Sequence, residues 1–339
     1  MSATATSPAP WLENRPEGLY CRPGGFFIDP HRPVDKAVLT HGHADHTRPG
    51  NHTILATPET VAIAESRYEG RAWDKVQTLK YGQSLTVGDV SVRLVPAGHI
   101  LGSAQVVMDW RGQRIIVSGD YKRRPDPTCP PFEVIPCDIF ITEATFGLPV
   151  FRHPPDQDEV AKLLDSMTAF PERTHLLGVY ALGKCQRLIR LLRAAGFDDT
   201  IYLHGALQKL CSLYERFGVD LGPTAPVAGL PPSSLVGKLV MCPPSALADR
   251  WSRRFSDPVT AVASGWMRVR ARARQRGAEL PLIISDHADW DELTATIRDV
   301  QAEEIWVTHG REDALVHYAR SIGLKAQALH MIGREDEDD

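Results

Sequence analysis

The feature that most constrains this chain is a run of metal-binding side chains directly after an apolar segment. The hexapeptide His41–His46 reads HGHADH and follows Ala37–Leu39, so it is predicted to lie on the loop that leaves a β-strand. Imidazole suits zinc, manganese and iron, and the carboxylate adds a hard oxygen donor. Because neighbouring side chains on one loop cannot all converge on one ion without strain, the hexapeptide predicts two adjacent divalent metal ions.

Further metal-binding side chains follow later predicted strands. His99 comes shortly after Val90–Pro96, and Asp120 comes shortly after Arg114–Ser118. A polar loop that carries surface histidines is the alternative interpretation of the hexapeptide, because the chain contains 13 histidines. The order of these side chains at successive strand ends favours the metal site.

Short β-branched segments separated by turns dominate the first part of the chain. The segment Met1–Arg15 lacks the basic-then-apolar order of a secretion signal, and its proline and serine residues indicate a loose arm. A helix is predicted at Pro58–Tyr68, and strands are predicted at Gly25–Ile28, Lys36–Thr40, Val90–Pro96, Gln105–Trp110, Arg114–Ser118 and Asp138–Thr142.

After Phe146 helices and strands alternate, which is typical of a parallel α/β unit. The predicted elements are helix Asp156–Phe170 (capped by Asp156, with Glu159 in its first turn), strand His175–Val179, helix Leu182–Ala195, strand Ile201–Leu203 and helix Ala206–Phe217. A connection rich in proline and glycine spans Gly222–Gly237. The last part is predicted to contain strand Leu282–Ser285, helix Trp290–Val300, strand Glu304–Thr308 and helix Asp313–Ile322. We therefore expect three segments: residues 1–146, an insert at 147–281, and a return at 282–339 that ends in an acidic tail.

Composition limits the class of protein. Hydrophobic residues make up 43% and charged residues 24% of the chain, as in a soluble globular protein, and no long apolar stretch predicts a membrane span. The six cysteines are scattered without a CxxC pair, which favours reduced thiols in the cytoplasm over disulfides or a zinc knuckle.

The net charge of −4 argues at first against a polyanionic partner. However, the last five residues, Glu335–Asp339, are all acidic, so the rest of the chain is close to neutral. A local run of arginines supplies concentrated positive charge: Arg268, Arg270, Arg272, Arg274 and Arg276. In an extended segment these side chains would share one face, whereas on a helix they would split into two arcs. Contact with backbone phosphates and a solvated helix face paired to carboxylates are the two interpretations, and we favour the first.

The HGHADH hexapeptide matches without a gap the HxHxDH loop of the metallo-β-lactamase superfamily, which the chain therefore resembles. The resemblance implies an α/β fold, the αββα sandwich of that family. It also implies that His41, His43 and His99 hold one metal ion, that Asp45, His46 and His309 hold the other, and that Asp120 bridges them. Asp29 resembles the aspartate that orients the histidine loop.

Three later residues resemble hallmarks of the β-CASP nuclease branch of this superfamily: Glu143 in ITEATFG, His287 in SDHAD and His309 in VTHG. The sandwich is then expected to carry a compact β-CASP-like α/β domain as the insert. The resemblance implies that two divalent ions, zinc or manganese, lower the pKa of a shared water toward about 7, and that the resulting hydroxide attacks a phosphodiester. His287, oriented by Glu143, would donate the proton that the leaving oxygen needs.

Two more specific strings, SGWMRVR at Ser264–Arg270 and SDHADW at Ser285–Trp290, resemble the bacterial ligase-associated DNA exonuclease family. This resemblance runs from Trp11 to about Ala328, and it implies a DNA exonuclease that acts in repair beside a DNA ligase. The β-CASP resemblance favours attack from the 5′ end. A histidine at position 309 is typical of RNA-acting members, so an RNA-processing nuclease of the same fold is the alternative.

Two further residues are candidates for nucleic-acid binding. Lys184 lies in Tyr180–Gln186, which resembles the helix start that leads the β-CASP insert toward the substrate, where a helix N-terminus can hold phosphate. Trp266 sits beside the arginine run, where it would either stack on a terminal base or pack in the core.

Two other classes of function explain less of the sequence. A small-molecule hydrolase with the same histidine loop leaves the insert, His287 and the arginine run without a purpose. A non-catalytic scaffold related to such nucleases would be expected to have lost metal ligands, whereas every expected ligand is present here.

Overall fold

The computed structural model describes residues 11–70 and 72–329. Within these residues the chain forms nineteen strands and eight α-helices. The acidic tail at 335–339 and the first ten residues of the predicted loose arm lie outside the described residues. No helix in the described ranges is long and apolar enough to cross a membrane.

The strands and helices alternate along the chain as follows. The strands are β1 (Leu12–Arg15), β2 (Gly18–Cys21), β3 (Phe26–Ile28), β4 (Lys36–Val38), β5 (Thr53–Ala56), β6 (Lys75–Thr78), β7 (Ser84–Val87), β8 (Val90–Pro96), β9 (Ala104–Trp110), β10 (Gln113–Val117), β11 (Ile139–Ala144), β12 (His175–Gly178), β13 (Ile201–Leu203), β14 (Thr224–Pro226), β15 (Leu239–Cys242), β16 (Val259–Ala263), β17 (Leu280–Leu282), β18 (Glu304–Gly310) and β19 (Lys325–Ala328). The helices are α1 (Pro58–Tyr68), α2 (Asp156–Ala169), α3 (Lys184–Ala194), α4 (Gly205–Arg216), α5 (Pro244–Ala248), α6 (Arg270–Gln275), α7 (Trp290–Asp299) and α8 (Glu312–Ser321).

Two sheets pack face to face around one apolar core. The first sheet runs β1-β2-β3-β4-β5-β6, and the second runs β19-β18-β11-β10-β9-β8-β7. Leu19 and Val38 of the first sheet belong to the same buried cluster as Val106 and Ile141 of the second. The alternation of apolar side chains along β8, such as Val90, Val92 and Leu94, turns one face of that strand toward this core.

Helices cover the outer faces of both sheets. Helix α1 packs Val61 against Ala37 and Ile54 of the first sheet. Helices α7 and α8 pack Leu293 and Leu315 against the far face of the second sheet. The layers are therefore helix, sheet, sheet, helix, and the expected α/β sandwich is confirmed.

The third sheet is entirely parallel, in the order β14-β13-β15-β12-β16-β17. Helices α2, α3 and α4 bury apolar side chains such as Leu163, Leu188 and Leu207 on one face of it. This sheet occupies residues 175–282, which supports the predicted insert at 147–281. Strand β17 (Leu280–Leu282) runs across the predicted boundary between residues 281 and 282. The bounds of the insert therefore stay a prediction.

Three local predictions were wrong. Asp156 does not cap α2: Pro155 holds the cap position without a side-chain bond, and the Asp156 carboxylate instead accepts a 2.6 Å hydrogen bond from Arg187. Leu12–Arg15 is a strand rather than part of a loose arm, because Trp11 and Leu12 are buried between the sheets. The strand predicted at Leu282–Ser285 ends at Leu282, so Ser285 lies on the following loop.

The sequence patterns also missed several strands. Among the missed strands, β6 and β19 have exposed or half-exposed side chains throughout, so they lack the buried alternation that marks a strand. The proline- and glycine-rich connection at 222–237 contains β14 and a 3-10 turn at Pro232–Leu235. Tertiary pairing with a neighbouring strand, rather than local pattern, stabilises such segments.

Candidate metal centre

The strands of both sheets deliver the metal-binding side chains to one edge of the sandwich. Strands β10, β11 and β18 are mutually parallel, and β4 ends at Val38, shortly before the hexapeptide. The loops that follow these strands carry His41, Asp120 and, at the end of β18 itself, His309. Ligand sites form at the carboxyl ends of parallel strands for this reason: all of those ends meet at one edge.

Four side chains form what we call the first donor group: His41, His43, His99 and Asp120. His43 Nδ1 lies 3.1 Å from His41 Nε2 and 3.0 Å from His99 Nε2. A ring nitrogen carries either one proton or one lone pair, so His43 Nδ1 can form a full hydrogen bond with only one of these two nitrogens. Three ring nitrogens that converge this closely fit a shared cation better than a set of hydrogen bonds.

Three side chains form the second donor group: Asp45, His46 and His309. His46 Nε2 lies 3.1 Å from Asp45 Oδ2, and the rings of His46 and His309 are 5.8 Å apart. His309 has a φ of +59°, a left-handed conformation that costs energy for a residue with a β-carbon. The register between β11 and β18 shifts at this point, so the kinked backbone aims His309 at the site.

Asp120 connects the two groups. Its Oδ2 atom lies 3.4 Å from His41 Nε2 and 4.0 Å from His99 Nε2 in the first group, and 3.3 Å from His46 Nε2 in the second. Gly119, with a φ of +58°, brings this loop against Thr40: a β-carbon at position 119 would come within 2.7 Å of the Thr40 side chain. The family resemblance implied that Asp120 bridges two ions. That role stays a prediction, and the distances place the carboxylate between the two donor groups.

Asp29 holds the hexapeptide loop from behind. Its carboxylate accepts hydrogen bonds from the Thr40 backbone (2.8 Å) and the Thr40 hydroxyl (2.6 Å), and it lies 2.7 Å from His46 Nδ1. The Thr40 hydroxyl is also 3.0 Å from His41 Nδ1. Such partners fix the tautomer and the direction of a metal-binding imidazole. Thr40 was not identified from the sequence, although its position directly before the hexapeptide was a usable signal.

Burial keeps three of the histidines neutral, which is the protonation state that binds a metal. It holds the pKa of His41 and of His99 well below the usual range and lowers the pKa of His43 to about 4. Nearby carboxylates, Asp120 among them, oppose this shift but do not overcome it. Neutral imidazoles offer lone pairs to a cation at pH 7.

The carboxylates supply excess negative charge. Burial by itself would raise the pKa of Asp120, but His46, His309 and His41 together hold it well below its ordinary value. Burial would likewise lower the pKa of His46, yet Asp45, Asp120 and Asp29 raise it well above the usual range. The buried site is therefore anionic and attracts positive charge, so the residues present fit divalent metal ions.

Beside the first donor group lies a hydrogen-bonded acid and imidazole. His287 Nδ1 is 3.0 Å from Glu143 Oε2, and the other oxygen of Glu143 accepts a 2.7 Å bond from the Tyr121 backbone. The rings of His287 and His99 are 4.6 Å apart. Glu143 thus fixes the direction of the His287 ring, and the ring lies against the metal-binding side chains. Thr145 lies 3.4 Å from the same nitrogen and was not identified from the sequence.

The loop of His287 also reaches a metal-binding residue through its backbone. The carbonyl oxygen of Asp286 lies 2.9 Å from His99 Nδ1, which leaves His99 Nε2 to face the donor group. The carboxylate of Asp286 is 3.9 Å from Lys184 Nζ. Asp286 was not identified from the sequence, because a backbone acceptor leaves no signal in residue type.

Lys184 is buried rather than presented to solvent. The side chain is fully enclosed, with Tyr180 under the ammonium at 5.1 Å in addition to Asp286. At the start of α3 the Gly183 backbone already donates to the Gln186 side chain at 2.9 Å. The predicted role of Lys184 in phosphate binding therefore stays a prediction, and its surroundings fit an internal ion pair equally well.

The arginine run is helical, not extended. Arg270–Gln275 forms α6, after a 3-10 turn at Gly265–Arg268. Arg272 is half-buried and stacks over the Trp266 ring at 3.9 Å, whereas Arg268, Arg270, Arg274 and Arg276 are exposed. The central part of the run therefore adopts the helical alternative, with Arg268 and Arg276 outside the helix.

Trp266 belongs to an apolar cluster. It is 6% exposed, and its ring lies 4.8 Å from Phe146 and 5.0 Å from Phe151. The Phe146 ring is in turn 6.3 Å from His287. Trp266 therefore packs in the core, which is the second of its two interpretations. The rings of Trp266 and Phe146 lie between α6 and His287.

Comparison with protein families matches two parts of the chain. Residues 29–178 match the model of the metallo-beta-lactamase superfamily, and residues 281–329 match that of the Zn-dependent metallo-hydrolase RNA specificity domain. The first match contains the hexapeptide, His99 and Asp120, and the second contains His287 and His309. Residues 29–178 of this chain therefore form a metallo-beta-lactamase domain. Together with the relatives below, the two matches support the β-CASP nuclease branch of that superfamily.

Several relatives are longer proteins. The chain is 29% identical over 94% of its length to a probable DNA ligase of Opitutus terrae, of which the match covers 31%. It is 34% identical over 41% of its length to the endoribonuclease ysh1 of Aspergillus fumigatus, covering 16% of that protein. It is 29% identical over 56% of its length to the ribonuclease TTHA0252 of Thermus thermophilus, covering 51% of it. The chain thus spans less than a third of the first two relatives and about half of the third.

A solved structure shares the fold. The crystal structure of a protein of unknown function from Enterococcus faecalis V583 superimposes with a TM-score of 0.56 at 16% identity, covering 80% of this chain and 74% of the other. Because that identity is low, the likeness supports the architecture alone.

Proposed function

We propose that this protein is a nuclease that uses two divalent metal ions, zinc or manganese, to hydrolyse phosphodiester bonds. The observation that carries the proposal is Asp120, whose Oδ2 atom lies within 4.0 Å of histidines in both donor groups. The first donor group would hold one ion and the second group the other, with Asp120 shared. Bound ions of this kind lower the pKa of water and neutralise charge on a phosphoryl group.

His287 is the proposed general acid. Its Nδ1 atom faces Glu143 at 3.0 Å, so Nε2 is the nitrogen that remains for a substrate. Glu143 favours the tautomer with a proton on Nδ1 and stabilises the ring once it is charged. His287 would deliver a proton from Nε2 to the leaving oxygen of the cut strand, a contribution typically worth roughly 10²- to 10⁴-fold in rate.

DNA is the proposed substrate. A region similar to nearly the whole of this chain occurs inside a longer relative named a probable DNA ligase, which supports action beside a DNA ligase in repair. A ligase needs trimmed ends, so we propose an exonuclease that removes nucleotides from DNA ends. The exposed arginines of α6 are the proposed contacts to backbone phosphates, and Trp266 and Phe146 lie between this helix and His287.

RNA is the second candidate substrate, and one observation favours it. The segment at 281–329 matches a model named for RNA specificity, and two of the relatives are named as ribonucleases. A metal-free scaffold has less support, since both donor groups are complete. We further propose that the protein works in the cytoplasm, because all six cysteines are free thiols in the structure.

Digestion of end-labelled oligonucleotides tests the proposal. Single- and double-stranded DNA and RNA of the same sequence are incubated with the manganese- or zinc-loaded protein and with Asp120→Asn. The proposal predicts stepwise shortening of DNA, slower cleavage of RNA, and loss of cleavage in the variant. Faster cleavage of RNA than of DNA would identify RNA as the substrate. Cuts inside the strand would identify an endonuclease rather than an exonuclease. Equal activity in Asp120→Asn would reject the metal assignment.

His287→Ala provides a separate check on the acid. It should slow turnover on oligonucleotides by at least about 100-fold while the metal content stays that of the native protein. Loss of metal in this variant would make His287 a ligand and would reject its assigned role.

A further inference from the structure

Lys122 is a buried cation beside the metal centre that the proposed chemistry does not use. It lies two residues after Asp120 and is 1% exposed. Its ammonium donates to the backbone carbonyl of His287 at 3.0 Å and lies 3.4 Å from Glu292 Oε2. Lysine is rarely buried unless it is paired, so this placement needs a reason.

The backbone of Lys122 contacts the other loops of the site. Its N–H donates to the Ala97 carbonyl at 3.1 Å, two residues before His99. Its carbonyl oxygen lies so close to Gly98 that a β-carbon there would approach it to 2.4 Å. One residue earlier, the Tyr121 carbonyl accepts a 2.7 Å bond from Ala288. Lys122 therefore stands where the loops of His99, Asp120 and His287 meet.

Glu292 anchors the lysine to helix α7. Its Oε1 atom accepts hydrogen bonds from the backbones of Arg123 (3.0 Å) and Arg124 (2.7 Å). Its Oε2 atom accepts one from the backbone of Asp289 (3.1 Å), the residue that caps α7. Lys122 is thus held at one end by a carboxylate on a rigid helix and presents its ammonium to His287 at the other.

His287 is consequently held from two sides. Glu143 fixes the ring through Nδ1, and Lys122 fixes the backbone through the carbonyl oxygen. The segment between Ser285 and Asp289 lies outside the helices and strands, so individual hydrogen bonds hold its backbone. Ser285 accepts from the His287 N–H, Tyr121 accepts from Ala288, and Lys122 bonds the His287 carbonyl itself. A shift of about 1 Å at a reacting group can cost about 100-fold in rate.

We propose that Lys122 is a positioning residue that fixes the backbone of His287, so that the imidazole meets the leaving oxygen of the substrate. This inference rests on the proposed function, in which His287 donates the proton. Lys122 itself touches neither the substrate nor a metal-binding atom in this scheme.

The dependence of the cleavage rate on the leaving group distinguishes a positioning role of Lys122 from a purely structural one. The test compares an oligonucleotide, whose leaving oxygen needs a proton, with bis(4-nitrophenyl) phosphate, whose nitrophenolate leaves without one. Lys122→Met should lower kcat on the oligonucleotide by about 10- to 100-fold, with little change in KM and in bound metal, and should leave the nitrophenyl rate near native. His287→Ala should show the same pattern more strongly.

Three further variants complete the design. Lys122→Arg keeps a donor for the carbonyl and should restore much of the lost rate. Arg123→Met, in the same loop, removes contacts to Thr296 and Asp299 on α7 but none to His287, and should stay near native. If Lys122→Met alone does not fold, Lys122→Met/Glu292→Gln takes its place, because it removes both buried charges together. The double variant should show the same leaving-group dependence.

Several results would overturn the inference. Equal slowing of both substrates, or loss of metal, would assign Lys122 to the support of the fold. If Lys122→Met cleaved the oligonucleotide at the native rate, Lys122 would have no role in the reaction. Failure of the proposed function is distinguishable, because the native metal-loaded protein would then leave every oligonucleotide intact, and the positioning role would fall with it.

Discussion

Replacing Glu292 by glutamine should destabilise the fold by about 3 kcal/mol at neutral pH. Burial alone would raise the pKa of this carboxyl, but Lys122, the Asp289 backbone and Arg124 lower it from 4.5 to about 2. Each unit of difference between folded and unfolded pKa corresponds to about 1.4 kcal/mol. The side chain is only 9% exposed, so solvent screens these interactions little.

The pH dependence follows from the sign of that shift. The folded-state pKa lies below the unfolded value, so the stabilisation is fully present above about pH 4.5 and is lost as the pH falls toward 2. The difference between native protein and Glu292→Gln should shrink to about 2.5 kcal/mol near pH 4 and to about 1.5 kcal/mol near pH 3.

Thermal unfolding of the two proteins across this range measures the effect. At pH 7 the expected loss corresponds to a Tm lower by about 4 °C for a chain of this length. Asp291→Asn on the same helix is the matched control: its ion pair with Arg152 is 61% exposed on the aspartate side, so its loss should cost less than about 1 kcal/mol. A Tm difference for Glu292→Gln that stays constant between pH 7 and about pH 3 would refute the reasoning.

Three further outcomes are expected. In Asp29→Asn the side chain keeps only one acceptor oxygen, so it cannot accept hydrogen bonds from both His46 and Thr40 as the carboxylate does. Metal affinity in a chelator competition should therefore fall about 10- to 100-fold. Unchanged affinity would exclude an orienting role for Asp29. Arg187→Met leaves the buried carboxylates of Asp126 and Asp156 without their shared partner, and chemical denaturation should show a loss of about 3–5 kcal/mol, whereas a loss below about 1 kcal/mol would mean that the ion cluster contributes little. Arg270→Ala/Arg274→Ala should reduce the slope of log affinity against log salt for single-stranded DNA by about 1.4, and an unchanged slope would remove α6 from the nucleic-acid interface.

The metal-binding side chains could be predicted from the sequence because their positions follow local rules. The hexapeptide comes directly after an apolar strand, and His99 and Asp120 follow β8 and β10. Carboxyl ends of parallel strands converge, so residue type and position pointed to one cluster of these side chains. The division of the cluster into two metal sites came from the family resemblance and stays a prediction. The bounds of α1 and of β8 were also predicted to the residue.

Other features depend on tertiary contacts that leave no local signal. Asp156 resembles a helix cap in the sequence, yet it faces Arg187, a partner 31 residues away. Lys184 resembles a phosphate ligand, yet the structure encloses it beside Asp286. The alternating arginines allowed a strand or a helix, and the stacking of Arg272 on Trp266 accompanies the helix. For Asp156 and Lys184 the partner is distant in sequence, so residue type alone could not select it. Trp266 is close to Arg272 in sequence, but the alternating pattern fits a strand as well as a helix.

Anomalous diffraction from crystals of the manganese-loaded protein tests the central claim most directly. We expect two manganese peaks per chain, one at the first donor group and one at the second, with the Asp120 carboxylate between them. A single peak, or no peak at either group, would contradict the account of this chain as a two-metal enzyme.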